Sequence, residues 1–364
     1  MSGGIHPPPE VVASWPNPNF VSPATHSYAT VVLLAVFGPL TLLAVFARIW
    51  ARAVIQRKSG LDDWVMLASL VPTTALLIAV GIGNQRLFNR HIWDYHSSEF
   101  IEQRKLTMAN EAAYVLSSGM IKASILLFYR RMVFKAVRKA YKIIVIVSLA
   151  SIVLYTFGFL LAMCFACRPL NAFWNQLDRS KVKAGFTYKC YNESAHLLAT
   201  SIIVTLQDFV TTTLPAVLCW KLHITVRQRF ALYACFGIGY VVTIISALRC
   251  YAIYYVFSNT YDVPWHTWYV WILTGLELSV GTICASVPAL KVFFKHFRDA
   301  SSQSRDTDDT ELGINKIKFL HKMGRSNSVG SDPEEIRSQP LSNVQTLESS
   351  HSAIRLNDSY ASKE

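Results

Sequence analysis

Four ionisable residues, Lys122, Asp208, Arg249 and Glu277, stand inside long apolar stretches of this 364-residue chain, and Glu111 stands near the edge of the stretch that holds Lys122. A charge at the centre of a bilayer costs about 2.5–3.5 kcal/mol on insertion scales, so such residues are paired or functional. A carboxylate beside a cation in a helix bundle has two uses. It fixes helix register, or it takes part in a signal- or ligand-linked change. Buried carboxylates also suit acid catalysis on a lipophilic substrate. Residue type alone leaves these uses open.

The elements that must position these charges are seven apolar segments of about 20 residues or more, the length a helix needs to cross a hydrocarbon core. They run over 27–47, 63–83, 109–129, 141–165, 194–220, 230–257 and 267–290. Hydrophobic residues make up 52% of the chain and charged residues 16%, against roughly 25% charged in soluble domains. The connections between segments are too short to hold a soluble enzyme domain. The expected fold is an all-α membrane protein, a seven-transmembrane helix bundle over residues 27–298. A short extracellular segment, 1–26, precedes it. A Ser-rich cytosolic tail, 299–364, follows and has the composition of a disordered region. No Lys or Arg precedes Ser27, so the first apolar stretch reads as a retained helix and not as a cleaved signal. Pro39, Pro72, Pro215 and Pro288 lie inside or at the ends of these segments and read as local kinks.

Orientation follows from the basic residues in alternate loops. Sixteen Lys and Arg flank the spans on one side, from Arg48 and Arg52 to Arg298, and nine on the other. This bias places the N-terminus outside and the C-terminus in the cytosol, with the plasma membrane as the expected location. The net charge of +12 is therefore mostly a topology signal. Its basic residues are spread over span flanks, so nucleic acid is not an expected partner. The lipid bilayer is one.

At about 1.5 Å rise per residue, Lys122 and Asp208 both lie roughly 20 Å below the outer ends of their segments. Arg249 and Glu277 also share a level, in the outer half. Two ion pairs are expected, Lys122 with Asp208 and Arg249 with Glu277, both facing the bundle interior. Glu111 lies near the outer interface, where hydration lowers its cost. Asp62 and Asp63 open the second span in SGLDDW, where they suit helix capping and the helix dipole, or else contact with the adjacent basic loop.

Cys167 and Cys190 both fall in the loop between the fourth and fifth spans, on the side that permits disulfides. A bridge there would tether RPLNAFWNQLDRSKVKAGFTYK as a lid, although Cys164 is a rival partner for Cys190. The remaining cysteines lie in spans as packing residues, and no cysteine has the spacing of a metal site. The aromatic run Tyr251, Tyr254, Tyr255, Trp265, Trp268 and Trp271 reads as an interfacial belt or as a pocket lining. A retinal chromophore is excluded, because the seventh span has no Lys before Lys291 to form a Schiff base. The third span ends LLFYRRM and the seventh ASVPAL, which departs from the Asp-Arg-Tyr and Asn-Pro-x-x-Tyr patterns of the large animal receptor class. No cofactor is expected.

The ordered pieces ARIWAR, SGLDDW, GMIKASILLFYRRM, CRPLNAFW with Cys190, QDFVTTTLP, SALRC and the Glu277 segment before GTICASVPAL carry a resemblance. Over roughly 27–298 the chain resembles the fungal rhodopsin-domain integral membrane proteins, which include Pth-type receptor-like proteins and satratoxin-cluster-type members of secondary-metabolite clusters. The resemblance implies a seven-helix fold and a fungal source. The cysteine-rich extracellular module of some receptor-like members is missing, since residues 1–26 contain no Cys.

The functional expectation is a receptor-like protein that senses an extracellular or lipophilic small molecule and signals through its basic cytosolic loops and tail to a cytosolic partner. A membrane enzyme or carrier of a secondary-metabolite pathway is the alternative. Candidate phosphorylation sites lie at Arg325–Ser328 and Ser331–Glu335, and residues 311–323 have amphipathic character. A sequon at Asn192 sits close to the membrane.

Overall fold

The computed structural model describes residues 7–133, 139–176, 187–220 and 226–289. The candidate phosphorylation sites at Arg325–Ser328 and Ser331–Glu335 and the amphipathic stretch 311–323 lie outside these residues. Among the described residues, seven helices are long and apolar enough to cross a membrane: Ala29–Ile55, Leu61–Arg86, Ser98–Arg131, Lys139–Cys164, Glu193–Leu214, Phe236–Ser258 and Val263–Ala289. The fold is therefore an all-α seven-helix membrane fold, with the spans numbered first to seventh in that order. Its apolar runs form helices because a helix satisfies every backbone polar group within the segment, which lipid cannot do. Pro39 and Pro72 are accommodated inside the first and second helices.

The third and seventh spans are central, with 56% of their most apolar stretch buried, against 22% for the first and fourth. The main core joins Val45, Met66, Leu76, Val80, Tyr114, Ile121, Val204, Trp271 and Leu278 from the first, second, third, fifth and seventh spans. Small residues let helices approach closely, as is usual where lipid offers no hydrophobic driving force. A Cβ at Gly119 would overlap Thr156 of the fourth span, and one at Gly239 would overlap Thr212 of the fifth.

The third helix differs from its expected bounds. It starts at Ser97, not near residue 109, and runs to Val133. Its 37 residues make it about 55 Å long, well beyond a hydrocarbon core of about 30 Å. The added turns, SSEFIEQRKLTM, are polar and so escape a reading based on apolarity, but they hold good helix formers. Glu99 accepts a hydrogen bond from the His96 N–H at 2.7 Å and caps the start. Gln103 and Asn110 are buried on its inner face.

We refer to the end of the bundle that carries the N-terminal segment and the fourth-to-fifth loop as the clasp end. There, two-residue strands β1 (Cys167–Arg168) and β2 (Lys189–Cys190) pair antiparallel, and Cys167 and Cys190 form a disulfide. Cys164, the rival partner, is a free and exposed thiol. Asn192 caps the fifth span: its side-chain oxygen accepts from the Ala195 N–H at 3.2 Å and the Ser194 hydroxyl at 2.7 Å.

Candidate functional site

A cavity of about 890 Å³ opens between the third, fifth, sixth and seventh spans at the clasp end. That volume suits a drug-sized organic molecule. Its walls are mainly apolar and aromatic, including Val115, Ile253, Val256, Val270 and Trp271, with Glu111, Tyr114, His196 and Arg249 among the polar positions.

The cover over this cavity was not legible in the sequence. Trp15, Pro16, Asn17 and Pro18 of the N-terminal segment line it, together with Ile92, Trp93 and Tyr95 from the second-to-third loop. Several contacts hold the segment down. The Asn19 N–H donates to Asp94 at 2.9 Å, and Phe20 stacks on His96 at 4.3 Å. His26 stacks on Trp265 at 3.7 Å and on Trp268 at 4.3 Å. Burial against these rings lowers the His26 pKa from its ordinary 6.5. The neighbouring His91 ring bonds Asp262, whose other oxygen accepts from the Ile92 N–H at 2.9 Å. Tyr95 accepts from the Asn89 and Arg90 N–H groups, but burial dominates and pushes its phenol up to about 12. The tethered loop was expected to act as the lid. Of its described residues Gln176 lines the cavity, whereas 177–186 lie outside the described set.

The disulfide-closed loop is tied instead to the third helix. Arg104 donates to both oxygens of Glu193, at 2.6 and 2.8 Å, and its guanidinium lies 4.0 Å above the Phe173 ring. This bidentate arrangement is a strong form of ion pair. Neither partner stands out in the sequence, because Arg104 precedes the apolar part of the third span and Glu193 the apolar part of the fifth. Tyr191, beside Glu193 and Glu111, has its phenol pKa raised, first by burial and then by those two acids.

The cavity floor is a closed ring of three side chains. Arg249 Nε donates to Glu277 Oε2 at 2.9 Å, Tyr114 OH donates to Glu277 Oε1 at 2.6 Å, and Arg249 Nη2 donates to the Tyr114 oxygen. Arg249 and Glu277 are thus together, at 3% exposure each. Tyr114 was not singled out; a polar tip three residues beyond Glu111, on the same helix face, was the available signal. Below the ring, Lys122 Nζ lies 3.1 Å from Asp208 Oδ1 and also donates to the Val204 carbonyl at 3.0 Å. A second cavity of about 40 Å³, lined by Lys122, Asp208 and Glu277, lies between the two pairs.

At the opposite end, Asp62 and Asp63 do more than cap. Asp63 does accept from the Gly60 N–H at 3.2 Å, yet both acids are 2% exposed and converge on Arg48, itself 1% exposed. Arg48 donates to Asp63 at 3.0 Å, to Asp62 at 3.1 Å and to the Ala285 carbonyl of the seventh span at 2.7 Å. Arg131 reaches Asp62 at 3.2 Å from the end of the third helix. In the sequence Arg48 counts only as a span-flanking topology charge. It is buried because the first helix continues through Trp50 into a π-helical turn, Ala51–Ile55, which keeps Arg48 inside the bundle.

Glu111 lies in the wall of the large cavity. The aromatic run divides. Tyr251 and Tyr254 are 64% and 51% exposed and face outward, as belt residues do, whereas Trp268 and Trp271 are buried. The chemistry on offer is a mainly apolar site whose floor is a charged ring drawn from three helices, followed by two further ionic layers.

Comparison with known proteins agrees with this architecture. The chain is 26% identical over 276 residues to the polyenoic acids biosynthesis gene cluster protein Ba17b of Metarhizium anisopliae, covering 72% of this chain and 70% of that one. It is 24% identical to the wortmanamides biosynthesis cluster protein C of Talaromyces wortmannii, over 72% of this chain and 69% of the relative. It is 27% identical to the receptor GIN3 of Arthrobotrys oligospora, over 73% of this chain and 62% of that receptor. No solved structure matches the chain significantly. Residues 47–296 match the profile of the fungal rhodopsin domain, and the chain, an integral multi-pass membrane protein, belongs to that family.

Proposed function

We propose that this protein is a receptor-like sensor of a lipophilic small molecule. The observation that carries the reading is the 890 Å³ cavity whose lining includes Tyr114 and Arg249 of the floor ring. A ligand resting there touches two of the three members of that ring, so binding and ring geometry are linked. Glu277 lines the next, smaller cavity with Lys122 and Asp208, and the same seventh span reaches Arg48 through Ala285. A shift of that span therefore perturbs all three ionic layers. The excess of basic residues on the Arg48 side supports an outward-facing clasp end, with the basic loops and tail offered to a cytosolic signalling partner. The name of the GIN3 relative supports a receptor.

The names of the cluster relatives support a second reading, a membrane enzyme or carrier within a metabolite pathway. In it, Asp208 and Glu277 act as acids on a bundle-bound substrate. The two readings part in one experiment. Purified protein in lipid nanodiscs is screened against lipophilic compounds by thermal shift, and each hit is followed by hydrogen exchange and by mass analysis of the compound. The sensor reading expects unaltered compound and changed exchange around Arg48, Asp62 and Asp63. Chemical conversion of the compound, or binding with no change at that end, overturns it.

A further inference from the structure

Among the described residues around the large cavity, one charged side chain is left without an opposite partner. Arg104 is held by both oxygens of Glu193, and Arg249 is held by Glu277 and Tyr114. Each of these pairs is self-neutral. Glu111 lines the same cavity and makes no hydrogen bond or ion pair with any described residue. It feels Arg104 only through space, and the nearer neighbour in effect is another acid, Glu193. Although it lies deep between helices, Glu111 keeps accessible surface, and that surface belongs to the cavity.

An ionised carboxylate in an apolar enclosure is costly, so the group either keeps its proton or takes a cationic partner. The cavity is already large enough for an organic molecule, so the missing partner can be part of the ligand. We infer that the cavity selects lipophilic molecules carrying a protonated amine, with Glu111 as the carboxylate that receives the ammonium group and the aromatic walls, Trp271 included, covering the apolar body. This rests on the reading of the cavity as a ligand site and adds the ligand's charge. An ammonium beside Glu111 gains an ion pair and hydrogen bonds of the stronger, charge-assisted kind. A carboxylate ligand meets like charge, and a neutral alcohol gains only a hydrogen bond to the acid.

Three fluorescent probes of nearly equal shape isolate the charge: 9-(aminomethyl)anthracene, 9-anthracenemethanol and 9-anthracenecarboxylate. Saturable energy transfer from protein tryptophans to each probe is measured in phosphatidylcholine nanodiscs, with empty discs subtracted. The wild-type protein should bind the amine about tenfold or more tighter than the alcohol, and the carboxylate weakest. Glu111→Gln, which keeps the shape and removes the charge, should abolish the preference for amine over alcohol. A carboxylate bound as tightly as the amine overturns the inference, as does an amine preference that survives Glu111→Gln. The wild-type ranking decides by itself if the variant does not fold. Absence of saturable binding by all three probes counts against the cavity as a site for ligands of this size, which is the underlying reading. Binding without charge preference counts against the role of Glu111 alone.

Discussion

Replacing Arg249 with Met is the sharpest test of the floor ring. Arg249, Glu277 and Tyr114 are 3%, 3% and 4% exposed, so each depends on the other two for its hydrogen bonds. With charge centres about 4 Å apart and an effective dielectric near 20, the Arg–Glu attraction is about 4 kcal/mol. Removing the guanidinium strands the Glu277 carboxylate and takes a donor from Tyr114, so Arg249→Met should cost about 3–5 kcal/mol. Glu277→Met should cost a similar amount by stranding the cation. The double variant removes both charges and leaves only the Tyr114 hydroxyl without partners, at about 1–3 kcal/mol. The two substitutions are therefore strongly non-additive, with the double variant more stable than either single. Thermal unfolding of purified protein in one detergent, at one scan rate, measures this. At about 2–4 °C per kcal/mol the single variants should melt on the order of 10 °C lower, and the double variant should recover most of that loss. If the two costs add to within about 0.5 kcal/mol, the ring is not an energetic unit, and the physical basis for coupling cavity to core fails.

Two other outcomes follow from the geometry. At the end opposite the clasp, Arg48→Lys keeps the charge but cannot reach Asp62, Asp63 and the Ala285 carbonyl together; it should cost about 2–3 kcal/mol, and a variant as stable as wild type in the same melt would contradict the fork geometry. Acidification should release the N-terminal cover, because the docked His26 has a lowered pKa and the undocked ring binds a proton more readily. Docking is at full strength above about pH 6.5 and weakens as pH falls below it. Hydrogen exchange over residues 7–26 at pH 7.5 and 5.5 reads this out; equal protection at both pH values, or a His26→Phe variant that stays as pH-sensitive as wild type, would show that another group sets the response.

The number of spans and the identity of the intramembrane charges were legible in the sequence, and so was the disulfide at Cys167 and Cys190. Apolar runs of bilayer length and rare charges within them are properties of composition along the chain. Helical rise also brought Lys122 level with Asp208, and Arg249 level with Glu277, because depth in a bundle is nearly linear in residue number. That count survived even though the third helix starts 12 residues earlier than its apolar part, since the extra turns add length only at the far end.

Rotation about each helix axis and the path of the polar segments were not legible. Arg48 looks like a flanking charge until the first helix turns it toward the seventh, and Glu111 looks interfacial until the third helix turns it into a cavity. The N-terminal cover has no long apolar run to announce it; stacked rings and hydrogen bonds to Asp94, Asn89 and Trp265 hold it in place. Sequence by itself determined that this chain crosses the membrane seven times and carries charges inside, because the bilayer imposes those requirements on each segment separately. Only the tertiary structure decided which charges close into a ring, which acid is left facing a cavity, and what covers it, because those depend on the mutual rotation of helices far apart in the chain.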